Sequence, residues 1–251
     1  MSDRGAVPHP ASARAIRHKR IFAKPDTLTL CGGPGLTQDL TGERTQNFFV
    51  LFVSFCTIFS QTSERPLRIL VAITGASGVL YAQRLLDNLA NAGHELHVVL
   101  SSYAHVVIAE ELPGGLRLPP EAVTHGLKSM NAPFASGSNP ADAMVIIPCS
   151  VGTLGRIAHG YSEDVLLRSA DVALKEKKKL ILVPREAPLN LVHVRNFELL
   201  LLAGAIILPA NPSFYTRPKT VEDVVDTVVG RVLDHLGVAH RLSARWGEEK
   251  E

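Results

Sequence analysis

The chain has 251 residues, 46% of them hydrophobic and 20% charged, which is enough material for one core, so a single globular domain is the default. Its 26 basic and 24 acidic residues leave a formal charge of +2. There is no long block of one sign beyond the short "KEKKK" at 175–179, read as a solvated helix end, and this argues against nucleic acid as the main partner. Cys31, Cys56 and Cys149 are far apart and show no C-x-x-C spacing, so a reducing cytoplasmic compartment is the simplest expectation.

Residues 1–66 differ in character from the rest. A polar, Arg-rich stretch ("RAIRHKRIFAK") and "CGGPGLTQDLTGERTQ" precede an apolar run, "FFVLFVSFCTIFS", at 48–60. That run is shorter than the ~20 residues of a membrane-spanning helix and begins too far in for an ordinary signal peptide. Three readings stay open: a disordered or mis-annotated extension, a cleaved targeting sequence of mitochondrial type, and an interfacial anchor or added strand.

From Leu67 onward strand-like and helix-like runs alternate. Buried strands are expected at 67–73, 94–101, 142–150, 179–184 and 205–210, each short and rich in β-branched residues or Leu. Between them lie amphipathic segments at 78–93, 104–112, 163–178, 189–204 and 220–237, the first closed by Gly93 and the last capped by Thr220 and Gly237. The alternation predicts an open, doubly wound α/β fold of Rossmann or flavodoxin type, a parallel sheet with helices on both faces. Ligands in such folds bind beyond the carboxyl ends of the strands, where every unusual loop of this chain falls.

The first of those loops, Thr74-Gly75-Ala76-Ser77-Gly78, opens a helix whose N-terminal amides and dipole favour an anion; a small-residue turn that lets helix pack on strand is the alternative. It lacks the Lys-Ser or Lys-Thr of a P-loop and the three glycines of the dinucleotide fingerprint. Ser101 and Ser102 follow the second strand and suit helix capping. "PCSVGTLGRIA" repeats the strand, hydroxylated turn and helix start after the third, setting two such turns to face one another across the sheet and pointing to a phosphorylated ligand. "PREAP" at 184–188 sets Arg185 and Glu186 between prolines, and "NPSFYTRP" at 211–218 offers Tyr215 and Arg217, with Arg231 on the last helix. An aromatic ring beside arginine suits an allylic or aromatic phosphate, although a surface ion pair and a packed tyrosine would produce the same residues. The histidines, His105 among them, show no metal-ligand spacing, and no metal is expected.

In order, "ITGASG", "PFASGS", "MVIIPCSVGTLGRIAHG", "LLRSADVALKEKKKLILVPREAPL", "NPSFYTRPKTVEDVV" and the late "RWG" resemble the flavin prenyltransferases of the UbiX type, within the flavin-binding cysteine decarboxylase-like proteins. The resemblance spans 67–247. It implies a metal-independent transferase that joins a dimethylallyl group, carried as the monophosphate, to N5 and C6 of reduced FMN, making prenylated FMN for a UbiD-type decarboxylase. By matching positions it implies that Gly75, Ala76, Ser77, Ser101, Ser150, Val151, Gly152, Thr153 and Arg185 hold FMN. Tyr215 and Arg231 grip the prenyl phosphate, completed by Lys175 and Arg168, partly from a neighbouring subunit of a homo-oligomer, a dodecamer by resemblance. Ser77, Glu111 and Glu186 match positions implicated in the chemistry, and Trp246 matches a tryptophan that closes over the flavin. Two positions depart from the pattern: Asp164 stands for a usual asparagine, and Ser102 for a frequent lysine. A cysteine-type decarboxylase would need a catalytic histidine after the second strand, for which His105 leaves an opening, and an Asn-rich "PASANT"-like segment where "PFASGS" stands. A non-catalytic carrier of prenylated FMN would have lost Glu186 or Arg231, and both are present. Nothing apart from the flavin supplies a site for direct decarboxylation of a phenolic acid.

Overall fold

The computed structural model describes residues 65–90 and 92–242. The readings of the N-terminal extension, Cys31, Cys56 and Trp246 therefore fall outside the described residues. Six parallel strands form one sheet in the order β3-β2-β1-β4-β5-β6: β1 (Arg68–Ile73), β2 (Glu95–Leu100), β3 (Val123–His125), β4 (Ala143–Cys149), β5 (Lys179–Pro184) and β6 (Ile206–Ile207). The helices are α1 (Val79–Ala90), α2 (Ser102–Glu111), α3 (Val151–Ala158), α4 (Val165–Lys175), α5 (Leu191–Leu202) and α6 (Val221–Leu236). Among these helices none is long and apolar enough to cross a membrane.

The doubly wound fold is as expected, with two differences. β3 adds an edge strand of three residues, and β6 has two residues where 205–210 was expected. Ile69 to Ile73 are wholly buried because both faces of the central strands are covered, so the run is continuously apolar rather than alternating. Its side chains divide by parity. Ile69, Val71 and Ile73 join Val145, Val183, α1 and α6 on one face, while Leu70 and Ala72 join Ile146, Leu182, Leu154 and α4 on the other. Each fully buried Ile, Leu or Val contributes roughly 1.5–3 kcal/mol.

Capping fixes where the helices begin. Ser101, Ser150, Asp164, Asn190 and Thr220 each accept a backbone N–H from the first turn of α2 to α6 in order, and Gly237 closes α6 in the left-handed region at φ 82°. Asp164, the departure from the family pattern, is buried and accepts from Leu167 N at 2.9 Å, so the carboxylate performs the cap itself. α1 and α6 are tied by a paired contact in which Arg84 Nε and Nη2 reach the two Asp226 carboxylate oxygens at 2.8 and 2.6 Å.

Candidate active site

β1 lies between β2 and β4 with its crossovers on opposite faces of the sheet, so the strand order reverses at the β1/β4 boundary and leaves a crevice beyond their carboxyl ends. Thr74, wholly buried, stitches that boundary. Its hydroxyl donates to Pro148 O at 2.8 Å and accepts from Ser150 N at 2.7 Å, locking the β1 turn to the β4 turn. Gly75 is required by closeness: a Cβ there would overlap the Cβ of Tyr103 on α2. Gly78 has φ 109°, a region that favours glycine.

The first turn differs from expectation in one respect. The Glu111 carboxylate, at the last residue of α2, accepts from Gly78 N at 3.1 and 2.8 Å and from Val79 N at 2.8 Å. An internal carboxylate thus occupies the positive end of α1, so these two amides are not open to a ligand phosphate. Glu111, expected in the chemistry, holds the shape of the Gly75–Gly78 turn through these bonds. At the start of α3, by contrast, Ser150 Oγ takes Thr153 N at 3.3 Å, and the amides of Val151 and Gly152 have no hydrogen-bond partner among the described residues. A Cβ on Gly152 would meet nothing within 4 Å, so that turn faces open space.

Arg185 and Glu186 emerge after β5 and line a cavity of about 320 Å³ with Leu189, Phe197 and Asn211. Glu186 is exposed, and its Oε1 accepts from Ala187 N at 3.1 Å. Tyr215 and Arg231 line a second cavity of about 290 Å³, and Asn211 lines both, so the two adjoin. Arg231 also reaches Asp234 at 2.9 Å. Tyr81, unremarked in the sequence, belongs here. Burial pushes its phenol above the ordinary value while the Arg185 guanidinium pulls the other way, which puts the two within electrostatic range. Its only signal was position, one turn beyond Ser77. Ser101 serves as the α2 cap, and Ser102 lines a cavity of about 560 Å³ with His105 and His125.

Arg168 and Lys175 are not brought to this place within one chain. α4 covers the face opposite α6 and ends just before β5 starts, so Lys175 lies at the amino edge of the sheet, away from the crevice. Lys175 Nζ pairs with Glu176 at 3.1 Å; Arg168 donates to Ala135 O at 3.0 Å and to Asp171 at 2.8 Å. Cys149, beside Ser150, is wholly buried, and desolvation pushes its thiol up to about 12.

Residues 58–233 match the Flavoprotein family. A flavin prenyltransferase UbiX from Alkalihalophilus pseudofirmus is 47% identical over 199 residues, covering 74% of this chain and 100% of the relative. Among solved structures, AnUbiX (PadA1) in complex with FMN and dimethylallyl pyrophosphate is 38% identical with a TM-score of 0.69, over 74% of this chain and 100% of its own. A dodecameric FMN-dependent UbiX-like decarboxylase from Escherichia coli O157:H7 is 40% identical with a TM-score of 0.69, over 72% and 99%.

Proposed function

This chain belongs to the Flavoprotein family as a flavin prenyltransferase of the UbiX type, and from that membership we propose the reaction carried out at the crevice: transfer of a dimethylallyl group from its monophosphate to N5 and C6 of reduced FMN. The observation that carries the assignment is the adjoining pair of cavities, Tyr215 with Arg231 in one and Arg185 with Glu186 in the other. The residues fit FMN as well: the open amides of Val151 and Gly152, flanked by the hydroxyls of Ser150 and Thr153, suit an anionic or carbonyl edge, and Ser77 and Ser101 stand on the neighbouring turns.

Prenyl transfer breaks an allylic C–O bond and releases phosphate. Arg231 and Arg185 meet the growing phosphate charge with charge-assisted hydrogen bonds, and the Tyr215 hydroxyl adds a donor, so a monophosphate needs no metal ion. When bound, reduced FMN supplies the two positions, N5 and C6, that accept the prenyl carbons. Closing the second bond would add a proton to the prenyl double bond and remove one from C6; Glu186 and the released phosphate are the groups placed to give the first and accept the second. Ser77 orients or relays the N5 proton. Glu111, through the Gly78 and Val79 amides, holds Ser77 in place.

Lys175 and Arg168 complete the phosphate grip from another copy, because α4 carries Lys175 away from the crevice of its own chain. The reading therefore includes a homo-oligomer, a dodecamer by likeness to the E. coli structure. Exposed Leu191, Val192, Leu199 and Leu202 on α5 supply apolar surface for such contacts. The product serves a UbiD-type decarboxylase.

The test is anaerobic. The full chain is incubated with FMN, dithionite and dimethylallyl monophosphate, or the diphosphate in a parallel arm, and the extracted flavin is weighed by mass spectrometry. A gain of one five-carbon unit, abolished in Glu186→Gln and Arg231→Ala, is the expected result. Tightly bound but unmodified flavin in every arm refutes the reaction and leaves a carrier or a cysteine-type decarboxylase. Mixing Lys175→Ala with Arg231→Ala restores activity if sites are shared between copies, and restores none if each chain works alone.

A further inference from the structure

Between α3 and α5 runs a groove of about 600 Å³ whose upper end is formed by Val151 and Gly152 and whose wall includes Gly155 and Asn196. Asn196 is 6% exposed, and its carboxamide has no hydrogen-bond partner among the described residues. A carboxamide carries two donors and an acceptor. No buried side-chain nitrogen or oxygen among the described residues lacks a partner, so the small exposed part of Asn196 includes its amide, which opens onto the groove. Its polar neighbours are already engaged: Arg156 donates to Glu163 and to Thr153 Oγ1, and His159 Nδ1 meets Gly155 O at 2.8 Å. Gly155 leaves the amide its room, since a Cβ at that position would lie 3.1 Å from Asn196 Nδ2.

The groove thus presents two sets of open polar groups on one side of the crevice: backbone donors at the positive end of α3, and the donors and acceptor of the Asn196 amide. A ligand answering both must present a carbonyl, with partial negative charge, next to an N–H flanked by carbonyls. Resting on the proposed FMN reading, we infer that Asn196 is a flavin-binding residue: its carboxamide pairs with the imide edge of the pyrimidine ring, N3–H and an adjacent carbonyl, while the Val151 and Gly152 amides face the neighbouring N1–C2=O. The positive end of α3 then favours the reduced, more negative ring, the form that accepts the prenyl group. Asn196 takes no part in bond making; it selects and orients.

The experiment compares FMN with 3-methyl-FMN, which lacks the N3 proton, by titrating each into the full-length protein and following quenching of flavin fluorescence. The wild type prefers FMN about tenfold, the order expected of one amide pair. Asn196→Leu binds both flavins equally and weakly. Gly155→Ala, which pushes the amide aside without altering it, reduces the preference in the same direction and covers the case in which Asn196→Leu does not fold. Equal affinity of the two flavins for the wild type overturns the inference while leaving the FMN reading intact. So does a preference that survives in Asn196→Leu while the oligomer falls apart, which assigns Asn196 to a contact between copies. If wild type binds neither flavin, the FMN reading itself falls.

Discussion

Thr74→Val removes one oxygen and keeps the shape, so its cost can be worked from the contacts around it. Thr74 is wholly buried, and its hydroxyl is the partner of Ser150 N at 2.7 Å. Pro148 O loses the hydroxyl donor at 2.8 Å but keeps Thr74 N at 3.2 Å, so only Ser150 N is orphaned. One buried amide left unpaired costs about 1–3 kcal/mol. For a domain of this size that corresponds to a fall in Tm of roughly 2–12 °C, at 2–4 °C per kcal/mol. Urea and thermal melts at fixed protomer concentration measure it, because association between copies would otherwise enter the number. Thr74→Ser, which retains the hydroxyl, stays close to wild type. FMN affinity falls in the valine variant alone, since Ser150 and Val151 are no longer held against the β1 turn. A valine variant within about 0.5 kcal/mol of wild type, or a serine variant as damaged as valine, refutes the stitch.

Other outcomes follow from the same geometry. Gly75→Ala forces α2 away from the turn through Tyr103 and destabilises by roughly 1–3 kcal/mol, visible as a lowered urea midpoint with weakened FMN binding. Glu111→Ala uncaps α1 and costs about 0.5–2 kcal/mol; Glu111→Gln, which keeps an acceptor, loses less, and equal losses would contradict the capping role. Burial and the adjacent His97 ring hold the His125 imidazole below its ordinary 6.5, so the unfolded chain binds a proton before the folded chain does. Stability therefore falls as pH drops from 6.5 toward the folded value. His125→Gln flattens the decline in Tm measured between pH 7 and about 5.5.

The four long strands and the Ser101, Thr220 and Gly237 caps were legible because periodicity and capping are local. Ser101, Thr220 and Gly237 do what their positions announce. β3 was missed since Val123–His125 is too short to show a period, and its place was set by pairing with His97 to Val99. The candidate site was legible as a set of loops but not as an arrangement. Glu111 caps α1 from 33 residues away, and no spacing rule connects residue 111 to residue 78. Asn196 sits between Arg195 and Phe197 in a helix that also carries His193 and Glu198, where one amide looks like a solvent-facing residue until the groove beside α3 is seen. Arg168 and Lys175 lie on α4, and only the topology reveals that this helix ends at the far edge of the sheet.

Reduced flavins react with oxygen to form peroxide, and a thiol near such a ring is the side chain most exposed to damage. Cys149 adjoins the β4 turn yet is wholly buried, and with its thiol pushed up to about 12 it holds almost no thiolate at neutral pH. Oxidants attack the thiolate, so this thiol beside the β4 turn is a poor target for the peroxide that reduced flavin makes in air.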